Sequence, residues 1–337
     1  MNLSEAIGLY LSDRKARGMA ANTVRNEKTK LQLLLADVGN VQTQSLRPQH
    51  IDLYWSRRTT WGPGTMNNAR ICLTSFIRWC QARGHIRSDM VLMPEQRRLR
   101  EPPRKRIIIP QADFATFLDG IKDPRTRVMC AIGLYLFTRI SETAGLRWQD
   151  VNMHDGVVSV FRKKTQTLDD LPLCDELRRE LQRWALTYAA EIGRPLLPSD
   201  FVIPALKPAR AVGVPGKKST WMITEQRVLV PTEEAHMTYS IKVALKDAGF
   251  YQEYEGGHTL RRSGAVALYN QLTKMGHDRA IRLCQAMLGH THIRTTEVYL
   301  RLDLDRKVRN DLLAGKPMFP EVESAEVIQL KVAEGDA

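Results

Sequence analysis

Six side chains, Arg139, Lys164, His258, Arg261, His290 and Tyr299, are candidates for chemistry, each of a type that can hold a phosphate, move a proton or act as a nucleophile and each weak evidence alone. A planar guanidinium can fork onto two phosphate oxygens, which suits Arg139 and Arg261. His258 and Arg261 are three apart after Gly256-Gly257, so they project from nearly the same face of a helix near its positive N-terminal end, a geometry that suits an anion. Tyr299 can serve as an oxygen nucleophile. With a reference pKa of about 10, only about one phenol in a thousand is ionised at neutral pH, so it needs a cationic or basic neighbourhood. Each residue also has an ordinary explanation. Arg139 can simply pair with Glu142, Lys164 can sit solvated in a turn beside Lys163, His258 can cap a helix, Gly289-His290 can end one, and Tyr299 can fill an apolar face.

The elements that must hold these residues are mostly helical. Residues 1–93 read as four short helices. One starts near Ser4 with Ala6, Ile7, Tyr10 and Leu11 on a face. A second is capped by Asn22 or Thr23 and carries Val24, Leu31, Leu34 and Leu35. A third follows Pro48 with Ile51, Leu53 and Tyr54, and a fourth runs from Gly64-Thr65 along Met66, Ala69, Cys72, Leu73, Phe76, Ile77 and Cys80 to Gly84. Residues 94–110 form a basic linker, with Arg97, Arg98, Arg100, Arg104, Lys105 and Arg106 against Glu95 and Glu101, and with Pro102-Pro103 opposing regular helix. Such a strap suits either a solvated tether or a path along a phosphate backbone.

From Gln111 the pattern is helical again: Phe114, Phe117 and Leu118, then an apolar helix from Val128 to Leu136. Residues 156–161 and 168–173 predict an antiparallel hairpin around Lys163-Lys164-Thr165-Gln166-Thr167. A long amphipathic helix follows over 175–190. Residues 194–236, rich in Pro and Gly and carrying Lys207, Arg210, Lys217 and Lys218, read as irregular. Helices resume near Met237 and continue to about Ala314.

The chain has 337 residues, enough for two domains, and its 50 Lys and Arg against 37 Asp and Glu leave a formal charge of +13. That balance points to a polyanionic partner, nucleic acid ahead of an anionic membrane surface. No stretch approaches the roughly 20 apolar residues that span a bilayer, and Met1-Asn2-Leu3-Ser4-Glu5 lacks a signal-peptide layout, so a cytoplasmic, nucleoid-associated protein is expected. Cys72, Cys80, Cys130, Cys174 and Cys284 are odd in number and scattered, and neither they nor His50 and His85 make a zinc spacing. Reduced thiols and no structural metal are expected.

The order Arg, Lys, His-x-x-Arg, Leu-Gly-His, Tyr resembles the tyrosine recombinases, which include phage integrases and the recombinases that resolve chromosome dimers. Arg139-Ile140-Ser141-Glu142 with Gly145-Leu146-Arg147-Trp148-Gln149-Asp150-Val151 is similar to their first motif, and His258-Thr259-Leu260-Arg261-Arg262 to their central one. Leu288-Gly289-His290 followed by Thr295-Thr296-Glu297-Val298-Tyr299 is similar to their last. The likeness spans about residues 110–302 and extends less specifically over the N-terminal helices. Two positions depart from the pattern: Phe137 stands where the family often has Gly two residues before its first arginine, and Lys164-Thr165-Gln166 where it often has Lys-Thr-Gly. The second leaves Lys163 and Lys164 as competitors, of which Lys164 is the choice.

The resemblance implies a mostly α fold with a small antiparallel β-unit: a helical SAM-like core-DNA-binding domain (1–93), a basic interdomain linker (94–110) and a catalytic domain (111–302). The C-terminal tail (303–337), helix-like over Asp305 to Leu313 and Val322 to Val332 and too detached for the catalytic core, is expected to dock on a neighbouring protomer. The resemblance also implies a C-shaped clamp on double-stranded DNA with a specific recombination site, and a homotetramer on two such sites, with accessory DNA-bending proteins as further partners. Tyr299 would attack phosphorus, Arg139 and Arg261 would hold the phosphate, and Lys164 would protonate the leaving 5′ oxygen. His258 would assist proton transfer at Tyr299, His290 would donate to the transition state, and Glu142 would brace Arg139. No cofactor is implied, since two cations at one phosphate remove the need for a metal. The family job expected is integration for a phage or other mobile element, favoured by the basic stretch that includes Lys217 and Lys218. Dimer resolution and type IB topoisomerase-like relaxation are the alternatives. The chain is expected to begin directly with the core-binding helices, without the arm-site-binding domain common in phage integrases.

Overall fold

The computed structural model describes residues 1–93, 98–101, 106–208, 227–233, 237–253, 255–300 and 302. Arg97, Arg104, Lys105, Lys217, Lys218 and the tail from 303 onward therefore lie outside the described residues. The chain divides into two compact units, Met1–Arg104 and Lys105–Ala337.

The first unit packs four helices around one core. α1 (Leu3–Ala16) begins at a capping box, in which the Asn2 side chain accepts from the Glu5 amide while Glu5 accepts from the Asn2 amide. Leu3, Ala6, Ile7, Tyr10 and Leu11 form its buried face. α2 (Ala21–Val38) starts before Asn22 and Thr23, which lie inside the helix, so the capping expectation was wrong; no side chain caps this end. α3 (Pro48–Ser56) has Pro48 in its first turn, where the missing N–H costs nothing, and buries Ile51 and Tyr54 while Leu53 faces solvent. α4 (Pro63–Ala82) buries Ala69, Cys72, Leu73, Phe76, Ile77 and Cys80. Tyr10 meets Phe76 and Trp79 edge-on at 5.5 and 5.7 Å between centroids, joining α1 to α4.

The second unit is built on one helix that is apolar all round beyond its first turn. After α5 (Phe114–Asp119), α6 (Pro124–Tyr135) is capped by the Asp123 carboxylate and buries every residue from Val128 to Leu134. Against it lie α7 (Ile140–Gly145), α8 (Asp175–Ile192), α9 (Met237–Asp247) and α10 (Gly257–Lys274). α10 comes close because residue 264 is glycine: a Cβ there would collide with the Leu134 carbonyl and the Phe137 ring. α11 (Ala280–Leu288) and α12 (Ile293–Leu300) complete the helical layer.

A three-stranded antiparallel sheet, in the order β1 (Val151–Asn152), β2 (Val157–Arg162), β3 (Thr167–Pro172), presents the turn 163–166. Its register sets Arg162 opposite Thr167 and Phe161 opposite Leu168. Val158, Val160 and Arg162 alternate onto the buried face. Residues 194–236 are not wholly irregular, as expected from their prolines, because β4 (Pro204–Pro208) pairs with β5 (Arg227–Glu233) in a two-stranded sheet. Among the described residues both strands are edges, where proline is tolerated, and this is why the composition concealed them. All five cysteines are free thiols. Among the described residues no helix is long and apolar enough to cross a membrane.

Candidate active site

Arg139 occupies the N-cap position of α7, and its amide and guanidinium both bond Glu142, at 2.7 and 2.6 Å. Glu142 is almost wholly buried and serves three cations, since its second oxygen also accepts from Arg162 at 2.9 Å and lies 3.7 Å from Arg261. Burial alone would raise this carboxyl. The Arg139 amide and guanidinium hydrogen bonds and the Arg162 charge overcome that and hold it below the usual carboxylate range.

His258 and Arg261 lie in the first turn of α10, which opens from Gly256. Arg261 is 1% exposed and donates to the main-chain oxygens of Phe137 and Leu288. Burial lowers its pKa to about 10, still charged at neutral pH. The Phe137 carbonyl is aimed by an unusual backbone: Phe137 has φ +51° and Gln166 has φ +57°, the two left-handed non-glycine residues among those described. These are the two positions where the sequence departs from the glycine of the family pattern. The local backbone is therefore the one glycine would favour, adopted here with side chains.

α11 ends at Gly289, φ +57°, whose left-handed conformation turns the chain into His290. A Cβ on Gly289 would lie 3.3 Å from Arg162 Nε. The His290 Nδ1 pairs with the buried Thr296 hydroxyl at 3.1 Å, leaving Nε2 for a bound group. Burial, then the charges of Arg261, Arg139, Lys164 and Arg162, push the imidazole down to about 4. His258 reaches solvent, and the surrounding protein and the charges of Arg261, Arg139, Arg262 and Arg106 hold it below its ordinary value.

Tyr299 lies in the last turn of α12, half-buried, with its ring edge-on to His290 at 5.5 Å between centroids. Its hydroxyl donates to the main-chain oxygen of His258 at 3.3 Å, and the Arg261 guanidinium carbon stands 6.0 Å from its ring centre. Burial raises the phenol pKa, against the opposing pull of Arg261, Arg262 and Arg106. The nucleophile candidate thus neighbours Arg261 within this chain, and Arg139 joins Arg261 through Glu142.

Lys164 is exposed in the turn between β2 and β3, and its charge bears on His290. Lys163 carries its ammonium beside Gly145, 3.7 Å from where a Cβ would sit. Of the linker cations, Arg98 lies 3.4 Å from Glu101, Arg100 is exposed, and the exposed Arg106 sits next to Ile107. Ile107 is tied to α10: its amide donates to Glu255 at 3.2 Å, and its carbonyl accepts from Arg262 at 2.8 Å.

Sequence reasoning missed Arg162. It is fully buried and meets Glu142, Asp169 and the Met287 carbonyl. The signal was present in the period-two pattern, which sets residue 162 on the same face as Val158 and Val160.

Residues 111–306 match the family model of the phage integrase family. The chain is 26% identical over 295 residues to tyrosine recombinase XerD of Pseudomonas aeruginosa, covering 85% of this chain and 88% of that one. Among solved structures it resembles a lambda integrase tetramer bound to a Holliday junction, with a TM-score of 0.64, 16% identity, and coverage of 89% of this chain and 77% of that one. It also resembles XerH site-specific recombinase in a post-cleavage complex with a palindromic difH substrate, with a TM-score of 0.60, 17% identity, and coverage of 90% and 83%. The chain belongs to the phage integrase family and is a tyrosine-type site-specific recombinase.

Proposed function

We propose that this recombinase cuts and rejoins double-stranded DNA through a 3′-phosphotyrosyl intermediate formed on Tyr299. The observation that carries the reading is that Tyr299 neighbours Arg261, His290 and the His258 main chain, while Arg139 joins Arg261 through Glu142. Tyr299 Oη attacks phosphorus, and the 5′ oxygen departs with a proton from Lys164. Arg139 and Arg261 stabilise charge on the non-bridging oxygens, and His290 donates from Nε2. His258 accepts the phenolic proton. The phosphotyrosyl ester retains the energy of the phosphodiester, so a 5′ hydroxyl reverses the step without ATP.

A recombination-site DNA carrying a nick beside the scissile phosphate tests this, because the released 5′ fragment is lost and the adduct accumulates. A 3′-linked adduct with the wild-type chain, absent with Tyr299→Phe, is expected. A 5′-linked adduct, or one that survives Tyr299→Phe, would overturn the mechanism.

Integration for a phage or other mobile element is the biological role we favour, supported by the basic stretch after β4. The similarity to XerD across 85% of the chain favours a second reading, resolution of chromosome or plasmid dimers. Either role calls for four protomers on two specific DNA sites, as the lambda integrase tetramer on a Holliday junction illustrates. A type IB topoisomerase-like activity would instead relax supercoils without pairing sites. Sequencing the DNA attached to Tyr299 in cells identifies the site, and its location in a mobile element or at a chromosomal locus separates the two roles.

A further inference from the structure

We propose that Arg162 is a positioning residue for strand cleavage, locking the hairpin that carries Lys164 against the turn that carries His290. The proposal rests on the reading of Lys164 as proton donor. The Arg162 side chain is fully buried, and each of its guanidinium nitrogens has a different partner. Nε donates to Asp169 on β3 at 2.9 Å, Nη1 to Glu142 on α7 at 2.9 Å, and Nη2 to the Met287 carbonyl at the end of α11 at 2.7 Å.

Those three partners belong to the three segments that must be fixed relative to one another. Lys164 is two residues beyond Arg162 in an exposed turn, so its own surroundings do little to aim it. The root of the hairpin is what aims it, and Arg162 pins that root to the end of α11, two residues before Gly289. A planar guanidinium spreads five donors over three nitrogens and so reaches three separated partners, whereas a lysine ammonium gathers its donors on one atom and an apolar chain has none. Gly289 keeps the contact close, since a side chain there would press on Arg162 Nε. Glu142 adds electrostatic coupling, because the carboxylate that holds Arg162 also braces Arg139.

The test compares two substrates that differ in one atom: a site DNA with the ordinary bridging 5′ oxygen, and the same DNA with sulfur there. A thiolate leaves without a proton, given a thiol pKa of about 8.5, so the sulfur substrate bypasses the donor. Arg162→Met should slow cleavage of the oxygen substrate on the order of 10- to 100-fold, like the loss of other outer partners that orient a reacting group. It should cleave the sulfur substrate close to the wild-type rate.

Asp169→Asn, a change at a partly exposed partner, should show the same selectivity more weakly, and it serves where Arg162→Met lowers the melting temperature. Lys164→Met is run alongside. If Lys164→Met shows no sulfur rescue, the assignment of the proton donor has failed. If Lys164→Met is rescued while folded Arg162 and Asp169 variants lose equally on both substrates, or lose nothing, the anchoring role is overturned.

Discussion

The Tyr299 hydroxyl bonds the main-chain oxygen of His258, at 3.3 Å, and not its imidazole. The phenol is therefore held in place by backbone that no substitution at 258 removes. His258→Ala should keep the tyrosine where it is while removing the proposed base. Cleavage should fall on the order of 10²- to 10⁴-fold, the usual worth of a positioned general base. The deficit should shrink as pH rises and the phenol ionises unaided. Single-turnover cleavage between pH 6 and 10 measures this; a deficit independent of pH would assign the histidine another role.

Glu142→Gln leaves Arg139, Arg162 and Arg261 around a neutral amide. Breaking a buried ion cluster from one side costs about 3–5 kcal/mol, so a marked fall in the denaturant midpoint is expected, along with lost cleavage. Because the Glu142 pKa is depressed in the folded protein, its contribution is complete above its unfolded value near 4.5. It disappears as pH falls through the lower folded value. The wild-type protein should lose this stability in acid, and the Gln variant should show a flatter profile there.

His290 should remain neutral in the free protein until about pH 4, which an NMR titration of its ring resonances would show. The unfolded chain takes up this proton near pH 6.5 and the folded one only near 4, so stability is lost as pH falls across that window. Binding of a phosphate would offset the neighbouring arginines and move the titration upward. A free-protein titration near 6.5 would contradict the geometry.

Gln166→Gly and Phe137→Gly remove the two left-handed side chains and should act in opposite directions. Gln166 is exposed, and relief of its backbone strain should stabilise the protein by roughly 0.5–1 kcal/mol. Phe137 is 5% exposed and packs with Ala265, Cys284, Leu288 and Leu300. Losing that ring costs about 3–5 kcal/mol, more than the backbone relief returns. Chemical denaturation of both variants decides the signs.

The candidate residues Arg139, His258, Arg261, His290 and Tyr299 could be named from the family resemblance, and the structure sets them at element ends that Gly256, Gly289 and the apolar periodicity mark in the sequence. The hairpin was legible from its alternation. What escaped was whatever depended on partners far along the chain. Arg162 finds Met287 across 125 residues. β4 and β5 pair across a gap of 18 residues, and their prolines read as loop because an edge strand leaves no local trace. The choice between Lys163 and Lys164 rests on which way each side chain leaves the turn, and composition does not encode that.

The end of α11 has spare carbonyls, as every helix does, and two of them are taken by arginines of the pocket: Met287 by Arg162 and Leu288 by Arg261. One set of bonds closes the helix and seats the positive charge. The pocket is thus a seam of the fold, and the two cannot drift apart independently. A lineage that abandons DNA cleavage and keeps this architecture must still find donors for those two oxygens, so its arginines should outlast its tyrosine.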